Sequence, residues 1–159
     1  MENKKIKGAT TDLEGIHFKS KLEKSCYLKL IEAGFFVQYE PYKIPVWTPQ
    51  NRRLETIEAY QPSKSNRKEV ETITRPLLPI TYTPDFLVIK DRLYCFFDAK
   101  GYANDRYPIK KKMFLDWLAS QTTGIHYKFF EVQSVAQINH AIQIIKSYDP
   151  TGKNQVSGA

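Results

Sequence analysis

The sequence predicts an α/β domain in which helices flank a mixed central sheet, and three observations predict it. A hydrophobic fraction of 42% with 13% aromatics over 159 residues is enough for one real core. Two stretches rich in β-branched and aromatic residues, TYTPDFLVIK (81–90) and LYCFFDAK (93–100), are separated only by Asp91 and Arg92 and read as a hairpin. Three segments with helical periodicity and start signals alternate with the strand-like ones.

Taken in order, residues 1–17 read as a flexible basic arm. Ser20 then opens a helix: it has capping-box spacing to Glu23, and Leu22, Cys26, Leu30 and Ala33 recur along one face until Gly34 stops them. FFVQYEPYKIPVW (35–47) reads as a strand interrupted by Pro41 and Pro45, hence at a sheet edge. Residues 46–80 form an insertion. Within it RRLETIEAY (52–60) and KEVETIT (68–74) suit the arms of a protruding hairpin turned at QPSKSN (61–66), the alternative being a partly disordered charged segment. After the 81–100 hairpin, Pro108 opens a second helix, IKKKMFLDWLAS, with Ile109, Met113 and Trp117 on one stripe. YKFFEV (127–132) is a further strand, and Ser134 caps a last helix in which Val135, Ile138, Ile142 and Ile145 share a face. Residues 18–148 thus make one domain, followed by a loose polar tail at 149–159.

Net charge is +7, which favours polyanionic partners through phosphate neutralisation without specifying any chemistry. No apolar run is long enough to span a bilayer, and the lysine-bearing N-terminus lacks the apolar stretch of a signal peptide, so a cytoplasmic location is expected. Cys26 and Cys95, with no CxxC pair, indicate neither a zinc cage nor a disulfide framework and read as buried free thiols.

The chemistry lies in the hairpin. With Asp91 and Arg92 as a two-residue turn, Lys90 pairs with Leu93, and counting outward sets Asp85 opposite Asp98. Like charges so opposed are destabilising, and a divalent cation between them removes the penalty. Because side chains alternate, Asp98 and Lys100 share a face while Ala99 points away. Two carboxylates and an ammonium on one face suit Mg²⁺, which keeps several waters and shares its sphere with phosphate oxygens, with Lys100 offsetting charge in the transition state. Against this, one Asp-x-Lys in a strand is most often a solvated face, Asp85 after Pro84 can simply end a turn, and Glu23 can simply complete a capping box. Glu23 nonetheless borders the buried face of its helix and can reach inward. The Lys110–Lys112 run covers a wide arc of the second helix, either contacting phosphates or forming a solvated face.

At these residues the chain resembles the PD-(D/E)xK nuclease superfamily, and specifically the phage endonuclease I family of Holliday-junction resolvases. FKSKLEKS (18–25) is similar to that family's Phe-x-Ser-x-Leu-Glu helix, GFFVQYEPYKIP (34–45) to a strand with Tyr-Glu and a following Lys-x-Pro, and TYTPDFL (81–87) with DAKG (98–101) to its nuclease hairpin. The resemblance implies a restriction-endonuclease-like fold, magnesium dependence with manganese as a substitute, Glu23, Asp85 and Asp98 as metal-site acids and Lys100 as the catalytic lysine. It further implies DNA as substrate, branched or four-way-junction DNA among its forms, and a setting in phage DNA processing or recombination, in the host cytoplasm. Asp98 stands where endonuclease I has a glutamate, a variation the superfamily accepts. Residues 46–80 are much longer than the family's link, the region through which that family's two subunits intertwine.

The expected function is therefore a metal-dependent endodeoxyribonuclease with Lys110, Lys111 and Lys112 contacting DNA. The alternatives are a non-catalytic nucleic-acid-binding protein on a decayed nuclease fold, and a sequence-specific restriction-type or transposon-end nuclease. Resolving a junction takes two nearly simultaneous cuts on opposing strands, most simply made by a homodimer on a two-fold axis, with Leu54, Ile57, Val70 and Ile73 of the insertion as candidates for pairing with the partner chain.

Overall fold

The computed structural model describes residues 11–13, 15–50, 55–60, 69–74, 77–101 and 105–151. At its centre β8 (Phe86–Lys90) and β9 (Leu93–Ala99) run antiparallel, with Lys90 opposite Leu93 and Phe86 opposite Phe97. Asp91 makes the reversal at a left-handed φ of 53°, which aspartate tolerates better than most residues. β3 (Val37–Tyr39) adds antiparallel to β8, and β10 (His126–Val132) adds parallel to β9, giving the mixed four-stranded order β10-β9-β8-β3. A parallel neighbour needs a crossover, and α2 (Tyr107–Ala119), with proline in its first turn, lies on that connection.

The two faces of this sheet carry different layers. Phe86, Val88, Cys95 and Phe97 pack with Cys26, Tyr27 and Leu30 of α1 (Lys21–Glu32) and with Ile138, Ile142 and Ile145 of α3 (Val135–Lys146). Leu87 and Phe96, pointing the other way, pack with Phe114 and Leu118 of α2 and with Ile44 and Tyr82. Burial on both faces is why β8 and β9 read as almost continuous apolar runs. Ile44 and Tyr82 belong to a separate two-stranded sheet, β4 (Ile44–Trp47) with β7 (Ile80–Tyr82). The strand expected over 35–47 is thus two: β3 takes the expected sheet edge, and β4 leaves it for β7. Between them in sequence, β5 (Glu55–Tyr60) and β6 (Glu69–Thr74) pair antiparallel with each other, so the insertion has hairpin arms; its expected turn, 61–66, and Leu54 lie outside the described residues.

Four expectations are corrected. Part of the expected flexible arm is a hairpin, β1 (Thr11–Leu13) with β2 (Ile16–Phe18), turned at Gly15 with φ 79°. Phe18 is fully buried there between the rings of Tyr27 and Tyr39, at 5.3 and 5.1 Å, and Leu13 and Ile16 pack against the same core, so the domain begins earlier than residue 18. In α1, Glu23 and Tyr27 are buried while Leu22 and Ala33 are only partly covered. On α2, Ile109 is 65% exposed and the inward stripe is Phe114 and Leu118, one position round the helix from Met113 and Trp117. On α3, Val135 is exposed and Ala141 joins the buried face, the Ser134 cap standing as expected with Gln137 N–H on its hydroxyl at 3.3 Å. Cys26 and Cys95 are free and buried, and burial pushes both thiols up to about 12. Among the described residues no helix is long and apolar enough to cross a membrane. Position 1–10 of the arm and 152–159 of the tail lie outside the described residues.

The sheet is tied to α3 by one cation. Lys90, at the end of β8, donates to the carbonyls of Ile145, Lys146 and Tyr148 at 3.1, 2.9 and 3.3 Å, where the helix leaves acceptors unsatisfied and its dipole is negative. Lys90→Met keeps the aliphatic stem and removes these bonds. We expect it to lower unfolding free energy by about 1–2 kcal/mol in urea titrations, and wild-type stability in the mutant would rule out the cap.

Candidate active site

Asp85 follows the buried Pro84 and lies one residue before β8, where its N–H donates to the Phe97 carbonyl at 2.9 Å. The β8–β9 ladder ends with Phe86 opposite Phe97, and this bond is one residue out of its register, so the expected direct pairing of Asp85 with Asp98 gives way to an irregular step that still brings the two carboxylates together. Both side chains fall on the α2 face with Leu87 and Phe96. The Asp85 carboxylate accepts the Ala99 N–H at 2.8 Å; Asp98 accepts the Asp85 N–H at 3.3 Å and the Tyr82 hydroxyl. Lys100, two residues past Asp98 and on the same face, holds its ammonium 3.6 Å from Asp85 Oδ2 and 3.8 Å from Asp98 Oδ2. The Asp85 and Asp98 side chains are 8% and 1% exposed, whereas the lysine side chain is 26% exposed, so the cluster opens to solvent on the lysine side.

Electrostatics follow from this burial. Loss of water pushes the Asp85 carboxyl up to about 7, Lys100 opposing the rise and Asp98 adding to it. Asp98 is raised for the same first reason, against the pull of Lys100 and Tyr82. Two carboxylates in this condition are short of positive charge, and hard oxygen donors of this kind fit a divalent cation, which magnesium sites hold with one or two carboxylates plus water and phosphate.

Glu23 reaches the neighbourhood of Asp85 from α1. It is buried at the start of α1, which covers the opposite sheet face, and its N–H donates to Ser20 Oγ at 3.1 Å. Its carboxylate accepts the Lys19 N–H at 3.0 Å, the Tyr39 hydroxyl at 3.1 Å and the Ser20 hydroxyl at 3.3 Å. The capping reading of Glu23 therefore holds, although its charge is near enough to raise Asp85 further. Among the described residues no three His, Cys, Asp or Glu side chains are grouped so as to hold a metal ion. Glu40, at a left-handed φ of 43°, lies beside Glu23 and Asp85: its N–H donates to the Asp85 carbonyl at 2.8 Å and its carboxylate pairs with Lys19. A non-glycine residue so placed is strained, and its bonds to the Asp85 carbonyl and to Lys19 hold it there.

The lysine run is divided in its engagements. Lys110 donates to the Thr81 carbonyl at 3.2 Å, Lys111 pairs with Glu131 at 2.7 Å, and Lys112 is exposed. Sequence reasoning missed Tyr82, Tyr107 and Glu131. Glu131 faces Asp98 across the parallel β9–β10 register, and Tyr107 donates to Glu131 at 2.6 Å. Tyr82 had a signal in its position three residues before Asp85, on a strand leading into the site; the other two had none.

Comparison of the chain with known protein families, with curated proteins and with solved structures returns no match.

Asp85 makes stability depend on pH. Its folded value of about 7 lies above the ordinary 3.8, so the folded state binds the proton more tightly than the unfolded one. Metal-free protein should then lose stability as pH rises from about 4 to about 7 and lose no more above it, by on the order of a few kcal/mol. Asp85→Asn, neutral throughout, should flatten that fall in melting scans between pH 5 and 8. An equally steep fall in the mutant would mean that Asp85 ionises freely.

Proposed function

We propose that the protein is a metal-dependent endodeoxyribonuclease on a restriction-endonuclease-like fold, using Asp85, Asp98 and Lys100. One observation carries the reading: two nearly sealed carboxylates at the end of one hairpin share one partly exposed ammonium group in a chain of net charge +7. Asp85 and Asp98 are the groups that would hold magnesium or manganese. The bound cation would supply polarisation of the phosphate and acidification of a water. Lys100 Nζ donates to the attacking water or to a phosphate oxygen and offsets the negative charge that grows in the transition state. The Tyr82 hydroxyl and two backbone N–H groups hold the carboxylate oxygens in place, which limits the reorganisation needed at the moment of reaction. Glu23, buried near Asp85 and held by Lys19, Ser20 and Tyr39, is the third acid that could contribute an oxygen to the cation.

That engagement of Glu23 favours a second reading, a nucleic-acid-binding protein without catalysis. The two part in one assay: magnesium-dependent cleavage of supercoiled, linear and four-way-junction DNA side by side. Cleavage of all three supports a general endonuclease, and cleavage of the junction alone supports the resolvase-like selectivity that the sequence resemblance implies.

Asp98→Ala should abolish cleavage while leaving DNA binding intact, because a cation ligand is lost and the basic surface is not. Lys100→Ala should spare binding and lower turnover by about 100-fold or more, its role belonging to the transition state. Magnesium should raise the melting temperature of the wild-type protein at pH 8 and not that of Asp98→Ala, since it binds only the folded site. A mutant that cuts at the wild-type rate would remove Asp98 from the site.

A homodimer is part of the proposal, with the β5–β6 hairpin as its contact. The two strands pair with no third strand among the described residues, and Val70 is 72% exposed. Light scattering at micromolar concentration should give twice the chain mass, falling to one on deletion of residues 50–74; full-length monomer would end this assignment.

A further inference from the structure

The first turn of α2 meets the site through one ring. Tyr107 opens the helix, half-buried, with Lys100 Nζ 5.1 Å and Lys111 Nζ 5.3 Å from its ring centroid. Lys111 lies four residues on, the spacing that brings side chains together along a helix, whereas Lys100 comes from the end of β9. Both distances are within the range at which an aromatic face attracts a cation. The Tyr107 hydroxyl donates to Glu131 Oε2, the same oxygen that accepts Lys111, and it lies beside Tyr82 and Asp98. Glu131 is itself opposite Asp98 in the β10–β9 register. A lysine ammonium ordinarily sweeps on a flexible stem and loses side-chain entropy when held. Here two are held on one ring, at 26% and 29% exposure, each with its head at the boundary between protein and water.

Packing alone does not call for this arrangement. Phe114 fills the apolar layer beneath, stacked on Tyr82 at 4.4 Å, and a leucine at 107 would cover it equally well without ordering any cation. We propose that Tyr107 is a positioning residue that presets Lys100 and Lys111 together, so that the two ammonium groups meet two neighbouring phosphates of one DNA strand. Lys100 takes the scissile phosphate beside the carboxylates, and Lys111, parked on Glu131 in the free protein, transfers to the next. This rests on the nuclease reading of Asp85, Asp98 and Lys100. It also distinguishes Lys111 from Lys110, which is tied to a backbone carbonyl, and from Lys112, which is exposed.

Tyr107→Phe keeps the ring and removes the hydroxyl; Tyr107→Leu removes both. The lysine side-chain protons read the geometry without any cleavage. In the wild-type spectrum the ε-methylene signals of Lys100 and Lys111 should be shifted upfield by the ring, should remain so in Tyr107→Phe and should return to ordinary lysine positions in Tyr107→Leu. Turnover at saturating DNA should fall about tenfold in Tyr107→Leu and stay within about threefold in Tyr107→Phe, the loss expected for a partly desolvated cation–π contact. The salt dependence of DNA binding should lose about one unit of slope in Tyr107→Leu, as for one phosphate contact released. Melting curves keep the variants comparable, and a purely structural role would lower melting temperature while leaving salt slope and the Phe–Leu contrast flat. Unshifted lysine signals in the wild-type protein, or full turnover and slope in Tyr107→Leu, would overturn the inference. Wild-type protein that cuts no DNA would defeat the nuclease reading, while lysine signals and salt slope would still decide for or against the positioning role.

Discussion

Asp85 and Asp98 lie together at the open end of the β8–β9 hairpin with almost no access to water, and like charges in that setting repel without solvent to screen them. Each feature around them answers that repulsion. Lys100 spans both carboxylates, the Ala99 and Asp85 N–H groups donate to them, and Tyr82 donates to Asp98. The answer is incomplete, because burial still outweighs these partners and both carboxyls stay raised. A fold gains nothing in stability from such an arrangement, since apolar residues of similar volume would pack without the penalty. On the nuclease reading, a bound divalent cation would make good the positive charge that this acid pair lacks.

The hairpin that creates the pair also decides which neighbours can reach it. Residues on β8 and β9 alternate between an α1–α3 layer and an α2–β7 layer, and the acids fall on the second. Tyr82, Tyr107 and Glu131, from β7, α2 and β10, share that side and form one connected polar group with Lys100 and Lys111. Glu23, from α1, comes from the other side and is absorbed in capping its own helix. Its influence on Asp85 is through charge rather than contact.

What the sequence disclosed followed from locality. A two-residue turn fixes a hairpin register by counting, so the pairing from Lys90 with Leu93 out to Phe86 with Phe97 and the shared face of Asp98 and Lys100 were legible from residues 81–100 alone, whereas the irregular step at Asp85 was not. Ser20 and Ser134 were legible as caps because a capping bond spans three residues. The partnership of Glu131 with Asp98 was not, because a parallel pair is joined through a helix and nothing local sets its register. Tyr107 was hidden for the same reason, its partners being spread over three other elements. Ile109 misled because three lysines after it imitate a polar face: the stripe beginning one position round the helix contains Lys110, whose stem lies inward to reach Thr81. The β1–β2 hairpin, three residues a strand, is too short to carry a period-two signal against a lysine-rich background.

Charge is arranged at two scales that oppose each other. On the nuclease reading, the excess of +7 over the whole chain would draw a polyanion in and raise its rate of encounter. At the site the balance reverses, with Asp85, Asp98 and Glu131 against Lys100 and Lys111. A phosphate brought by the first field meets repulsion from the second unless cationic groups stand between it and the carboxylates. On the nuclease reading those groups are the divalent ion and the two lysines, and the three are not interchangeable: the ion arrives from solution, Lys100 is fixed beside its ligands, and Lys111 must leave Glu131. Binding of cation and of DNA at the site is then mutually reinforcing, because each supplies charge that the other lacks, and linkage requires the effect to run equally in both directions. The basic surface elsewhere is exempt from this coupling, which separates DNA held by the protein from DNA held at the carboxylates.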